Sequence, residues 1–144
     1  MEQRTGSNGD GAMVGRSYRQ GICEALALLH GQWVVAVLAS LATGPLTYGD
    51  LRQGINDAEA REDWTAHGHP VSTKVLSATL KRMRRDGLIE RTCSTGMSFN
   101  PVWYKLTPLG QTLLLTLRPM AKWAEDNRAA VGQARERYAD DGEP

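Results

Sequence analysis

The segment Ser72 to Asp86 constrains this chain more than any other. Leu76, Leu80 and Met83 recur at i, i+4 and i+7, the spacing of one helical face, with Ser72 or Thr73 as cap and Asp86-Gly87 as the stop. The positions opposite are Thr73, Lys74, Ser77, Ala78, Lys81 and Arg85. One face is therefore made for a core, while the other is small toward its start and basic toward its end. A helix of this kind needs neighbours that cover its leucines, and the rest of the chain supplies them.

Upstream, Ile22 to His30 carries Ile22, Ala25, Leu26 and Leu29 on one face, and Gly31 closes that helix. Trp33 to Ala42 is apolar nearly all round, the pattern of a helix buried on several sides, and Thr43-Gly44-Pro45 stops it. Thr47 stands three residues ahead of Asp50, a helix start resembling a capping box, and Leu51 and Ile55 give the short helix that follows an apolar edge. The polar stretch Asn56 to Pro70 then reads as an insertion. Asn56 with Glu59 is expected to cap a short extra helix through Trp64.

Downstream, Leu88 to Cys93 and Val102 to Leu106 read as two strands of a hairpin around the loop Ser94 to Pro101. Val102, Tyr104 and Leu106 share one strand face. Thr107-Pro108 is an N-cap followed by proline at the first helical position. A long stripe runs from Leu109 through Leu113, Leu117, Met120 and Trp123 to Tyr138, and Pro119 within it predicts a kink or a break near Arg118. This stripe exceeds what one small domain covers, which predicts a homodimer. The order of elements is that of a mainly α fold with a small β-wing, a winged helix-turn-helix with helices added at both ends.

The 144 residues divide into a flexible N-terminal arm (1–17), a winged helix-turn-helix domain (18–139) with its insertion (56–70), and a disordered acidic tail (140–144). Apolar residues make up 41%, enough for a core, yet the longest apolar run is far shorter than the about 18 residues of a membrane span. No signal peptide is visible, so a soluble cytoplasmic chain without a membrane partner is expected. Cys23 and Cys93 do not make a disulfide scaffold and read as small apolar residues.

The 17 basic residues are nearly balanced by 16 acidic ones, so any nucleic-acid binding must rest on where the charges sit. Between Ser72 and Arg91 six basic residues face two acids, a local balance of +4. Compensating acids cluster in the insertion and in the tail. A small N-terminal turn suits entry into the major groove, with Lys and Arg holding phosphates.

The sequence resembles the HxlR-type winged helix-turn-helix regulators, relatives of the MarR group. The likeness is carried by Ala25 to Trp33, Gly44 to Arg52, Val71 to Leu80, Asp86 to Arg91 and Tyr104 to Gly110. It implies a homodimer built by the first and last helices on a roughly palindromic operator in double-stranded DNA. Ser72, Lys74, Ser77 and Lys81 would make the main recognition contacts, with Thr47 and Tyr48 at the phosphate edge. Thr73, Ala78, Arg85 and Arg91 complete the expected DNA-facing set. The sequence departs from the family where its Cys-Pro pair falls on Gln20-Gly21, which removes that thiol mechanism, and where a wing Arg is replaced by Pro101.

Trp33, Trp103, Met120 and Trp123 are candidates for contact with a small-molecule effector or an interface, together with Met97 and Tyr104. The same side chains fit a core, to which Trp33 and Tyr104 are assigned, leaving Trp103 as the foremost candidate. Asp63, His67 and His69 lack the further ligands of a zinc site, so no metal, cofactor or catalysis is expected. The rival to a DNA-binding regulator is a winged-helix protein-interaction module that has lost DNA binding, motivated by the acidic insertion and the missing wing Arg.

Overall fold

The computed structural model describes residues 8–31, 33–61, 68–93, 96 and 101–142, with residues 8–16 described through their backbone alone. The helices are α1 (Asn8–Leu28), α2 (Val34–Ser40), α3 (Tyr48–Arg61), α4 (Thr73–Arg85) and α5 (Pro108–Asp140). A 3-10 turn, Leu41–Thr43, extends α2. The strands are β1 (Leu46–Thr47), β2 (Ile89–Cys93) and β3 (Val102–Leu106).

The core collects the faces read from the sequence. Val34, Val37 and Leu38 of α2, Leu51 and Ile55 of α3, and Leu76, Leu80 and Met83 of α4 are all buried, and Leu88, Ile89, Tyr104 and Leu106 close it from the sheet. Each fully buried aliphatic side chain contributes about 1.5–3 kcal/mol relative to exposure, so three leucine-type positions suffice to fix which face of α4 points inward. Ser72 caps α4 by accepting from the Val75 N–H at 3.2 Å. Asp86 ends it, and Gly87, with a φ of 77°, turns the chain into β2 through a left-handed conformation that favours glycine.

The sheet has the order β1-β3-β2, antiparallel throughout. The sequence reading expected a hairpin alone. The third strand is Leu46-Thr47, paired with Tyr104 and Trp103, and two residues are too few to display any alternation. Thr47 ends this strand while its Oγ1 accepts from the Asp50 N–H at 3.3 Å, so one residue both pairs in the sheet and caps α3.

Three further expectations are corrected. The arm placed over residues 1–17 is helical from Asn8 onward, because α1 extends well back from Tyr18; once nucleated, a helix propagates at little cost even without an apolar face. No new helix begins at Asn56, since α3 runs unbroken from Tyr48 to Arg61. Asn56 instead spends its Oδ1 on the Val71 N–H at 2.8 Å. Trp64 lies outside the described residues. Finally, of the kink or break expected near Arg118 the break does not occur: α5 is a single helix of 33 residues with Pro119 inside it. One missing hydrogen bond in so long a ladder does not end it, although proline in a helix interior costs about 3 kcal/mol. The cap by Thr107, which accepts from the Gly110 N–H at 3.0 Å, and Pro108 in the first turn are as read.

Candidate nucleic-acid interface

The start of α4 is positioned from α3. Asn56 and Arg52 lie one helical turn apart, and the first accepts from the Val71 N–H while the Arg52 Nε donates to the Val71 carbonyl at 3.2 Å. With both peptide groups held and its side chain fully buried, Val71 fixes where the chain re-enters the core after the 56–70 connection. The start of α4 is therefore held in place from α3.

A second brace comes from Tyr48. Its Oη donates to the Thr73 carbonyl at 3.0 Å and lies 3.2 Å from Ser77 Oγ. The phenol has one proton, so the Ser77 hydroxyl is the donor in the second bond. Tyr48, expected at the phosphate edge, thus has its polar tip engaged on α4 itself. Thr47 lies in β1 and caps α3.

The outer face of α4 is open. Ser72, Thr73, Lys74, Ser77, Ala78, Lys81 and Arg85 are all exposed, while Leu76, Leu80 and Met83 face inward. Past the end of α4 the surface is a shallow groove lined by Lys81, Arg84, Arg85, Glu90 and Arg91, four cations to one acid. Arg85 also reaches Asp86 at 3.4 Å, and Glu90 pairs across the strands with Lys105 at 3.7 Å. Arg82, one of the six basic residues counted in the sequence, points elsewhere. Its Nη2 donates to the His30 carbonyl just past α1, beside Gly31, where any Cβ would collide with the guanidinium. That cation is structural, and periodicity gave no sign of it.

The candidate effector residues do not come together. Trp33 sits in the core at 1% exposure, with its ring tilted against His69 at a centroid distance of 6.1 Å. Trp103 is half-buried on β3, in register with Thr47 on one side and Thr92 on the other. Met120 and Trp123 stand on the open face of α5, 58% and 62% exposed. Met97 lies outside the described residues, as do Asp63 and His67. Among the described residues no group of three His, Cys, Asp or Glu side chains is arranged to hold a metal. Nor, among the described residues, is any helix long and apolar enough to cross a membrane.

A helix-turn-helix whose inner faces are buried, joined to a three-stranded wing sheet, defines a winged helix-turn-helix protein. The chain belongs to the HxlR-like helix-turn-helix family, whose model matches residues 28–131, and it is a transcriptional regulator of the helix-turn-helix type. It is 28% identical over 116 residues to the uncharacterized HTH-type transcriptional regulator YtfH of Escherichia coli K12, covering 81% of each chain. With the uncharacterized HTH-type transcriptional regulator YdzF of Bacillus subtilis it shares 30% identity over 101 residues, 68% of this chain and 78% of that one. Among solved structures, a MarR-family transcriptional regulator from Enterococcus faecalis V583 superposes with a TM-score of 0.62 at 26% identity, over 81% of this chain and 92% of the other.

Proposed function

We propose that this regulator acts as a homodimer on a palindromic operator, placing α4 of each protomer in the major groove. The observation that carries this reading is the two-sided character of α4. Three buried apolar residues anchor it, and the opposite face offers Ser72, Thr73, Lys74, Ser77, Ala78 and Lys81 to solvent. The groove of Lys81, Arg84, Arg85 and Arg91 at its end is opposite in charge to a run of phosphates. Small side chains near the start of a helix allow close approach to base edges, and cations further along hold the backbone.

Dimerisation is supported by apolar side chains left in water. Ile22 and Leu26 of α1 and Leu109, Met120, Trp123 and Tyr138 of α5 are all exposed in the single chain. A stripe of this extent on two helices is a surface for another copy. DNA affinity is in turn modulated by a small molecule that binds away from α4.

Hydroxyl-radical footprinting on the promoter beside the protein's own gene tests the arrangement. Two protected half-sites of similar sequence, inverted and about one helical turn or a multiple of it apart, are expected. A single protected half-site, or uniform protection without sequence preference, contradicts it.

A further inference from the structure

A cleft of about 390 Å³ lies between the 41–45 turn, β3 and α5, within the size range of small-molecule sites. Leu41, Pro45 and Leu114 give it an apolar lining, and Gly44 at its rim carries no side chain to fill it. Its charged lining residues are both cations, Lys105 and Arg118. Among the described residues no carboxylate pairs with Arg118. An apolar trough with two cations and no acid is complementary to an amphipathic anion and repels an amphipathic cation.

Lys105 belongs to two environments at once. It lines the cleft, and its Nζ lies 3.7 Å from Glu90 Oε1 in the neighbouring strand, where the two residues are register partners. Glu90 in turn lines the groove of Lys81, Arg84, Arg85 and Arg91. A single cross-strand ion pair therefore links the cleft to the basic groove. Both side chains are about half exposed, so the pair is weak and easily rearranged by a competing carboxylate.

We propose that this cleft binds a small organic monocarboxylate with an apolar body, held by Lys105 and Arg118. Occupancy draws Lys105 away from Glu90, whose negative charge is then uncompensated among the cations that face the phosphates. DNA affinity falls as a result. The second half of this inference rests on the DNA-binding reading above; the first half does not.

The test uses the full chain labelled with 15N and titrated with benzoate, phenylacetate and octanoate, each against its neutral amide. The expected result is saturable movement of the Gly44 and Leu106 amide resonances with at least one acid, and about tenfold or weaker binding of the matching amide, the loss of roughly one charge-assisted contact. Arg118→Gln, at an exposed position of α5, and Lys105→Met are expected to weaken acid binding while leaving the spectrum folded. Equal binding of acid and amide, no saturation with any of the three acids, or binding unaffected by both substitutions overturns the assignment. In a parallel titration with duplex DNA at low salt, the bound acid is expected to lower affinity about two- to fivefold, the scale of one exposed ion pair. Glu90→Gln is expected to abolish that drop, and an undiminished drop in Glu90→Gln overturns the coupling. A chain that binds the acids but no duplex contradicts the DNA-binding reading and leaves the cleft assignment in place.

Discussion

Tyr48 Oη and Ser77 Oγ lie 3.2 Å apart, and because the tyrosine proton is committed to the Thr73 carbonyl, the serine proton is committed to the tyrosine. Ser77 is exposed on the outer face of α4, so what remains of its hydroxyl toward DNA is acceptor lone pairs. In the major groove, acceptors meet the amino groups of adenine and cytosine rather than the O6 and N7 of guanine. Tyr48→Phe removes the constraint and frees Ser77 to donate. A selection of binding sites from random duplexes is expected to relax at one base pair per half-site in Tyr48→Phe, with stability lowered by about 1 kcal/mol. An unchanged site preference contradicts a base-facing role for Ser77.

The Val71 peptide is gripped on both sides by side chains of α3, and Asn56 holds the N–H. Asn56→Ala leaves a part-buried donor without its partner, a loss of about 1–3 kcal/mol. Urea unfolding is expected to show that loss, and DNA affinity is expected to fall further than stability alone explains because the start of α4 is no longer aimed. An equal stability with reduced affinity, or the reverse, contradicts the bracing role.

Gly110 lies in the first turn of α5, where alanine is normally the better helix former by about 1 kcal/mol. A Cβ at this position would run into the Leu88 carbonyl oxygen, a backbone atom with no freedom to move aside. Overpacking of about 1–3 kcal/mol outweighs the propensity gain. Gly110→Ala is therefore expected to lower the Tm, whereas Gly132→Ala on the same helix, where nothing lies near the added methyl, is expected to raise it. A gain in stability at Gly110 contradicts the close approach.

Much of this architecture is legible in the sequence because its determinants are local. Leu76, Leu80 and Met83, the Ser72 cap, the Thr107-Pro108 start and the alternation of Val102, Tyr104 and Leu106 each act within a few residues, and each element forms where they point. What was not legible depends on partners far along the chain. Asn56 looks like a cap until Val71 arrives to bond it, and Leu46-Thr47 becomes a strand only because β3 lies beside it. Arg82 counts as one more cation until the His30 carbonyl is found opposite it. The tryptophans are separated for a related reason: Trp33 and Trp123 look alike in sequence, but one lies in the core and the other in water. The cleft beside Lys105 and Arg118 carries no motif, since its walls come from three separate segments.

The apolar side chains of α1 and α5 that stand in water predict the assembly. Leu26 is 52% exposed and Trp123 62%. Light scattering is expected to give a dimer at micromolar concentration, and Leu26→Glu combined with Trp123→Glu a folded monomer with weakened operator binding. A monomeric wild-type chain contradicts the homodimer.

The central claim is that α4 and the groove beyond it hold DNA. The most direct measurement is the dependence of duplex affinity on salt concentration for the wild-type chain, for Lys74→Ala combined with Lys81→Ala, and for Lys122→Ala, a cation paired with Asp126 on α5, as a control away from α4. Each phosphate contact contributes about 0.9 to the slope of log affinity against log salt. A steep fall with salt is predicted for the wild type, a slope shallower by up to about 2 per protomer for the double variant, and no change for Lys122→Ala. Equal slopes for all three proteins would contradict the claim.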